Sequence, residues 1–365
     1  MHLKRIVVSD FKNISSADLH FSPKINCIFG RNGEGKTNLA DAIHYLSMTK
    51  DMLAVQDRYA VRYGTDSAAV YGEYALGADV ARVGMKIRAD GQKTLKYNDK
   101  PCTRFSEHIG RLPIVPVSPA DMSLVSDAAE ERRRFLNGML SQIDRNYLNS
   151  VMSYNKLIKQ RNALLRQGGV QDILLETFTD RLGVYAGYIH EKRAWAAGLL
   201  TPLVSEYYSA LSGGREEIGL TYVSELSGKS MQELLSASLA RDKVLGYTST
   251  GVHRDDLLFT MDGHPVRKCA SQGQRKSFLV SLKLAQSVLM HKVYGHSPLL
   301  LLDDLFDKLD RERVGALVDM VAGEGFGQIF ITDTDYSALQ GVTRAFSTHC
   351  MFIEASGGNF REAVL

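Results

Sequence analysis

One stretch constrains this chain more than any other: Gly30-Arg31-Asn32-Gly33-Glu34-Gly35-Lys36-Thr37. It reads G-x-x-x-x-G-K-T without a mismatch. An apolar run, Ile25 to Phe29, leads into it, and a helical pattern from Asn38 to Met48 follows. Strand, glycine loop and helix in that order form the context of a phosphate-binding loop. The glycines let backbone N–H groups turn inward around phosphate oxygens. Lys36 would reach the β- and γ-phosphates, and the Thr37 hydroxyl would sit on Mg²⁺. The positive end of the following helix points at the same anion. An ordinary glycine turn does not explain why Lys and Thr stand at the required places. The candidate nucleotide-binding segment is therefore Gly30 to Asn38, with ATP and Mg²⁺ as expected ligands.

The totals narrow the class. A chain of 365 residues has room for two or three lobes and a sizeable core. A net charge of +3 says little about partners, so any nucleic-acid role must come from local patches. Cys27, Cys102, Cys269 and Cys350 are scattered and form no C-x-x-C pair, which favours a reducing cytosol over zinc or a disulfide framework. Neither a signal-peptide core nor a membrane-spanning run is expected.

The first hundred residues alternate as strands, with Asp90-Gly91 and Asn98-Asp99 marking tight turns. From Ala128 the period becomes helical: Leu136, Leu140, Ile143, Tyr147, Val151 and Tyr154. A second periodic stretch, from Leu175 towards Tyr207, follows a break at Gln167-Gly168-Gly169. Together they predict a helical hairpin. Its first arm is basic, with Arg132, Arg133, Arg134, Lys156, Lys159, Arg161 and Arg166. That is either a solvated face or a surface that tracks DNA phosphates, with Lys156, Lys159 and Arg161 as candidate contacts.

Near the other end, Leu299-Leu300-Leu301-Leu302-Asp303-Asp304 reads as a buried parallel strand delivering carboxylates at its C-terminal end. Asp303 would hold Mg²⁺, and Asp304 would orient or deprotonate an attacking water. His253 lacks a second ligand at a sensible spacing and reads as structural. Because Lys36 and Asp303 lie so far apart, a lobe is inserted between them. Ser271-Gln272-Gly273-Gln274 opens a helix shortly before the aspartates and resembles the signature loop of ABC-type ATPases. That likeness implies that one subunit's Ser271 to Gln274 contact ATP held by the other.

The chain as a whole resembles the RecF family of bacterial recombination-mediator ATPases. The likeness rests on Phe11-Lys12-Asn13, on Gly30 to Asn38, on Ser118 to Met122 leading to Arg132-Arg133-Arg134-Phe135-Leu136, on Gly251 to Leu257, on Ser271 to Arg275, and on Asp303-Asp304-Leu305-Phe306 through Leu309-Asp310. It implies an α/β fold: an ABC-type, SMC-like P-loop ATPase head with an inserted helical-hairpin arm. The expected parts are 1–122 and 241–365 for the head and 123–240 for the arm. The likeness further implies a slow, DNA-stimulated ATPase that dimerises with ATP on single-strand gaps and junctions. RecR, with RecO and RecA, would be its partners in loading the recombinase, and the cytoplasm its location. By analogy with related heads, Lys12 and Asn13 would touch phosphate. Departures from the family pattern are Ser126-Asp127-Ala128-Ala129, Asn137, Val252 and Asp307-Lys308. The competing readings are an ABC-transporter ATPase subunit, a P-loop kinase or nuclease-associated ATPase, and a DNA-binding scaffold. The transporter reading predicts a histidine after the last core strand, where this chain has Asp333-Thr334-Asp335.

Overall fold

A computed structural model describes residues 1–53, 55–126, 128–167, 171–305, 311–323, 325–334, 336, 339 and 350–363. Packing divides the chain into two units. The first contains Met1–Met122, Ala210–Gly213 and Leu279–Leu365; the second contains Ser123–Ser209 and Gly214–Phe278.

In the first unit, β1 (His2–Phe11), β2 (Ile14–His20), β4 (Ser67–Leu76), β5 (Asp79–Arg88), β6 (Lys93–Tyr97) and β7 (Lys100–Pro101) form an antiparallel sheet in the order β2-β1-β4-β5-β6-β7. Both expected turns are present, with Asn98 and Asp99 at φ 48 and 62. A second sheet contains β3 (Ile25–Phe29), β8 (Ile114–Val117), β12 (Leu299–Asp303), β13 (Ile329–Asp333), β14 (Cys350–Ser356) and β15 (Asn359–Glu362), in the order β15-β14-β3-β13-β12-β8. Strands β14, β3, β13, β12 and β8 run parallel. Every residue of β12 and β13 is buried, which explains their unbroken apolar runs. Helix α1 (Lys36–Met48) shares one apolar core with both sheets, through Leu39, Ile43, Tyr45 and Leu46. Truncating Leu301 in that core to Ala would cost about 2–5 kcal/mol. The parallel order brings the C-terminal ends of β3, β12 and β13 to one edge, where open α/β sheets hold ligands.

The second unit holds α3 (Ala129–Ile143), α4 (Arg145–Gln167), α5 (Asp172–Glu176), most of α6 (Thr179–Ser212), α7 (Met231–Leu245), and a small antiparallel sheet of β9 (Ile218–Val223), β10 (Asp256–Met261) and β11 (His264–Pro265). Short α2 (Met122–Ser126) and α8 (Val266–Cys269) complete its connections. The first arm of the hairpin is broken at Asp144, which ends α3 and accepts the Tyr147 N–H at 3.0 Å. Gly168 and Gly169, the expected break, lie outside the described residues. Residues 241–278 pack with the helical unit rather than with the head, because β10 pairs along its whole length with β9. Helix α9 (Gln272–Tyr294) carries the chain from the second unit into the first, and α10 (Arg311–Ala322) precedes β13.

Candidate active site

The phosphate loop lies between β3 and α1. Gly35 caps α1 at φ 104, a conformation that favours glycine, and a Cβ there would lie 2.9 Å from Asn13 Oδ1. A Cβ on Gly30 would lie 2.3 Å from the Ala355 carbonyl oxygen, so the loop starts where only glycine fits. Arg31, Asn32, Gly33 and Thr37 are exposed. Asn13 braces the loop: its Nδ2 donates to Gly33 O at 3.0 Å, and its Oδ1 accepts from Asn38 Nδ2 at 2.7 Å. Glu34 is held by the β14–β15 turn, its carboxylate by the Gly357 N–H and its carbonyl by the Gly358 N–H. The Lys12 ammonium is instead engaged within the fold, in ion pairs of 2.7 Å with Asp41 and Asp51.

Lys36 is 6% exposed, and its ammonium donates to the carbonyls of Gly30 (2.6 Å) and Arg31 (2.9 Å). Burial holds its pKa below the usual lysine range, while Asp304 and Asp303 oppose that shift. A phosphate beside it would favour the charged form.

The carboxylates arrive from the far end of the chain. Asp303 ends β12 and is 2% exposed. Its Oδ1 accepts from the Thr37 hydroxyl at 3.0 Å and from the Thr332 hydroxyl at 2.6 Å. Burial raises its pKa above the ordinary carboxylate range, and the two hydroxyls oppose the rise. A cation at this oxygen would favour the ionised form. Asp304 follows at φ 50 and lines one cleft with Asn32, Gly33, Gly35, Lys36, Thr37 and Asn38. A hydroxyl and a carboxylate are hard oxygen donors in contact, which fits Mg²⁺ completed by phosphate oxygens and water. Among the described residues no three His, Cys, Asp or Glu side chains cluster as a metal cage, and Mg²⁺ usually binds through one or two carboxylates plus phosphate.

The other sequence-derived residues lie in the second unit. Ser271 and Gln272 are exposed, while Gly273 and Gln274 are half-buried. Ser271 caps α9: its Oγ accepts the Gln274 N–H at 3.2 Å, and its own N–H donates to Gln274 Oε1 at 2.7 Å. Gln274 Nε2 donates to Glu216 at 2.8 Å, which fixes the turn. Lys156 and Lys159 are exposed on α4. Arg161 corrects the expectation of a DNA contact. It is 1% exposed, and its Nη1 donates at 2.7 Å to both Asp242 and Thr248, so it cannot reach a phosphate outside. Arg132 and Arg133 also face inward, to Asp256 (2.6 Å) and to the Asp255 carbonyl (2.8 Å). His253 is structural: Nδ1 meets the Tyr154 hydroxyl at 2.8 Å and Nε2 the Thr248 carbonyl at 3.0 Å. Its pKa is depressed by burial. Of the departures, Val252 and Asn137 both accept hydrogen bonds from buried Arg193, while Asp127, Asp307 and Lys308 lie outside the described residues.

Thr332 was missed from sequence. Its only signal was a polar residue near the end of a buried strand beside the Asp303 strand.

Residues 2–351 match the family model described as the RecF/RecN/SMC N terminal domain. The DNA replication and repair protein RecF of Parabacteroides distasonis is 43% identical over 347 residues, covering 95% of each chain. The chain belongs to the RecF family. A solved structure described as the recombination mediator RecF-ATP in the RecFOR pathway superposes with a TM-score of 0.89 at 27% identity, covering 100% of this chain and 98% of that one. An Smc head domain from Pyrococcus furiosus, at 14% identity and a TM-score of 0.59, shares the fold. The fold is thus the ABC-type, SMC-like ATPase head that the resemblance to the RecF family implies. As a RecF-family member the chain is a DNA replication and repair protein. Among the described residues no helix is long and apolar enough to cross a membrane.

Proposed function

We propose that this RecF-family chain is a slow, DNA-stimulated, Mg²⁺-dependent ATPase that dimerises with ATP on gapped DNA and helps load the recombinase. The observation that carries the reading is the 3.0 Å contact between the Thr37 and Asp303 side chains, which come from opposite ends of the chain. Gly30 to Asn38 cradle the triphosphate, and Lys36 neutralises its terminal phosphates. Thr37 and Asp303 are the residues that would hold Mg²⁺, which screens phosphate charge when bound. Asp304 orients the attacking water.

The exposed Ser271 cap supports a role in trans. Its hydroxyl, the Gly273 N–H and the start of α9 are donors suited to a partner's γ-phosphate. Hydrolysis would remove the group that joins two copies, and the dimer would loosen. Exposed Lys156 and Lys159 supply DNA-phosphate contacts on α4, and the cytoplasm is the expected location. RecR, RecO and RecA are the partners that the family implies.

Sedimentation with and without Mg-ATP and gapped DNA, run beside a hydrolysis assay, tests the proposal. ATP-dependent dimers and DNA-stimulated turnover are the expected results. Rapid hydrolysis that ignores DNA, with no change in mass on adding ATP, would overturn it.

A further inference from the structure

Thr332 is 1% exposed, in the middle of the parallel sheet, and lies opposite Asp303 in the β12–β13 register. A hydroxyl has one proton to give and two lone pairs. Here the proton goes to Asp303 Oδ1 at 2.6 Å. A lone pair accepts the Asp304 N–H at 3.1 Å, a donor shared with the Thr332 carbonyl at 3.1 Å. One side chain therefore touches both aspartates of the site. A buried strand threonine needs only a nearby carbonyl to satisfy its proton; this one is committed to a carboxylate.

Both contacts bear on geometry. Asp303 Oδ1 accepts two hydroxyls, but they differ in kind: Thr37 is exposed in the first turn of α1, whereas Thr332 is buried in the sheet. Asp304 holds φ 50, a left-handed conformation disfavoured for a non-glycine residue. It needs an anchor on its N–H, and Thr332 supplies one through both its hydroxyl and its carbonyl.

We propose that Thr332 is the positioning residue for the carboxylate pair: it orients Asp303 towards Mg²⁺ and keeps Asp304 facing the phosphate loop. This rests on the ATPase reading above. A hydrogen-bonding partner behind a metal ligand is typically worth 10–100-fold in metal affinity or activity.

The test uses the full chain with Thr332→Val, which keeps the shape and removes the hydroxyl, and Thr332→Ser, which keeps the hydroxyl. A fluorescent ATP analogue is titrated with EDTA and with Mg²⁺, and hydrolysis is followed against Mg²⁺ concentration. Affinity in EDTA should be nearly unchanged in both variants. In Thr332→Val the affinity gained from Mg²⁺ should shrink about 10–100-fold and kcat should fall, while Thr332→Ser should recover most of both. If Thr332→Val does not fold, Thr332→Ala is judged by the same criteria. A folded Val or Ala variant with wild-type Mg²⁺ dependence would overturn the inference, and so would a Ser variant as impaired as Val. If the unmodified protein itself shows no Mg²⁺-dependent nucleotide binding, the ATPase reading fails and takes this inference with it.

Discussion

The chain contains two neighbouring-aspartate pairs in its most motif-like stretches, and they have opposite fates. Asp255 and Asp256, at the start of β10, face arginines. Asp255 Oδ2 accepts from Arg193 Nη1 at 2.7 Å and from the Tyr222 hydroxyl at 2.5 Å, and Asp256 takes Arg132 through two bonds of 2.6 and 3.0 Å. Arg193 is 3% exposed and also bonds Tyr147, Asn137 and the Val252 carbonyl. Asp303, at the end of β12, meets two hydroxyls instead. Arginine neutralises a carboxylate and binds it into the fold. A hydroxyl orients it and leaves its charge available to a cation. Both pairs look alike as text; what faces them separates a structural knot from a carboxylate held at the candidate site.

The largest effect should come from breaking the knot. Arg193→Met would leave Asp255 buried and unpaired and should lower unfolding stability by about 3–5 kcal/mol in denaturant titration. Arg193→Met with Asp255→Leu should recover part of the loss, because the orphaned charge goes as well. If the single variant melts like the parent, the contrast between the two pairs is wrong.

Next in size is Lys36→Ala, which should reduce hydrolysis about 10²–10³-fold, with loss of nucleotide binding and a nearly unchanged melt. A large fall in stability instead would make Lys36 a structural residue like Arg193.

Asp304→Asn keeps the shape and removes the charge. Hydrolysis should fall by about 10²-fold while the ATP analogue still binds, and ATP-bound dimers should accumulate in sedimentation. An unchanged rate would remove Asp304 from the chemistry.

The smallest effect extends the contrast to cations. Lys156→Gln with Lys159→Gln should weaken DNA binding several-fold and reduce the salt slope by about two, with the melt unaffected. Arg161→Gln should do the reverse, destabilising the fold through the buried Asp242 and sparing the salt slope.

Much of the candidate site is legible from text because its determinants are contiguous. Gly30 to Thr37 needs a fixed order of residues within one loop, and Asp303-Asp304 follows a short apolar run, opened by Pro298, that reads as a buried strand. Arg161 was misread although the pattern was there. It falls on the α4 stripe of Tyr154, Leu157, Ile158 and Leu165, at helical spacing, so its position already pointed inward. The break at Asp144 was hidden for another reason: the apolar period runs on through it, and only the cap shows that α3 has ended.

By itself, then, the sequence determined the phosphate loop, the strand carrying the carboxylates, and the alternation of strand-rich and helical regions, since each depends on neighbours along the chain. Tertiary structure alone decided which strand stands beside β12, and so which hydroxyl reaches Asp303. It also decided which arginines are consumed by buried aspartates. Those outcomes depend on pairings between residues that are remote in sequence, where burial makes an unpaired charge costly enough to select its partner.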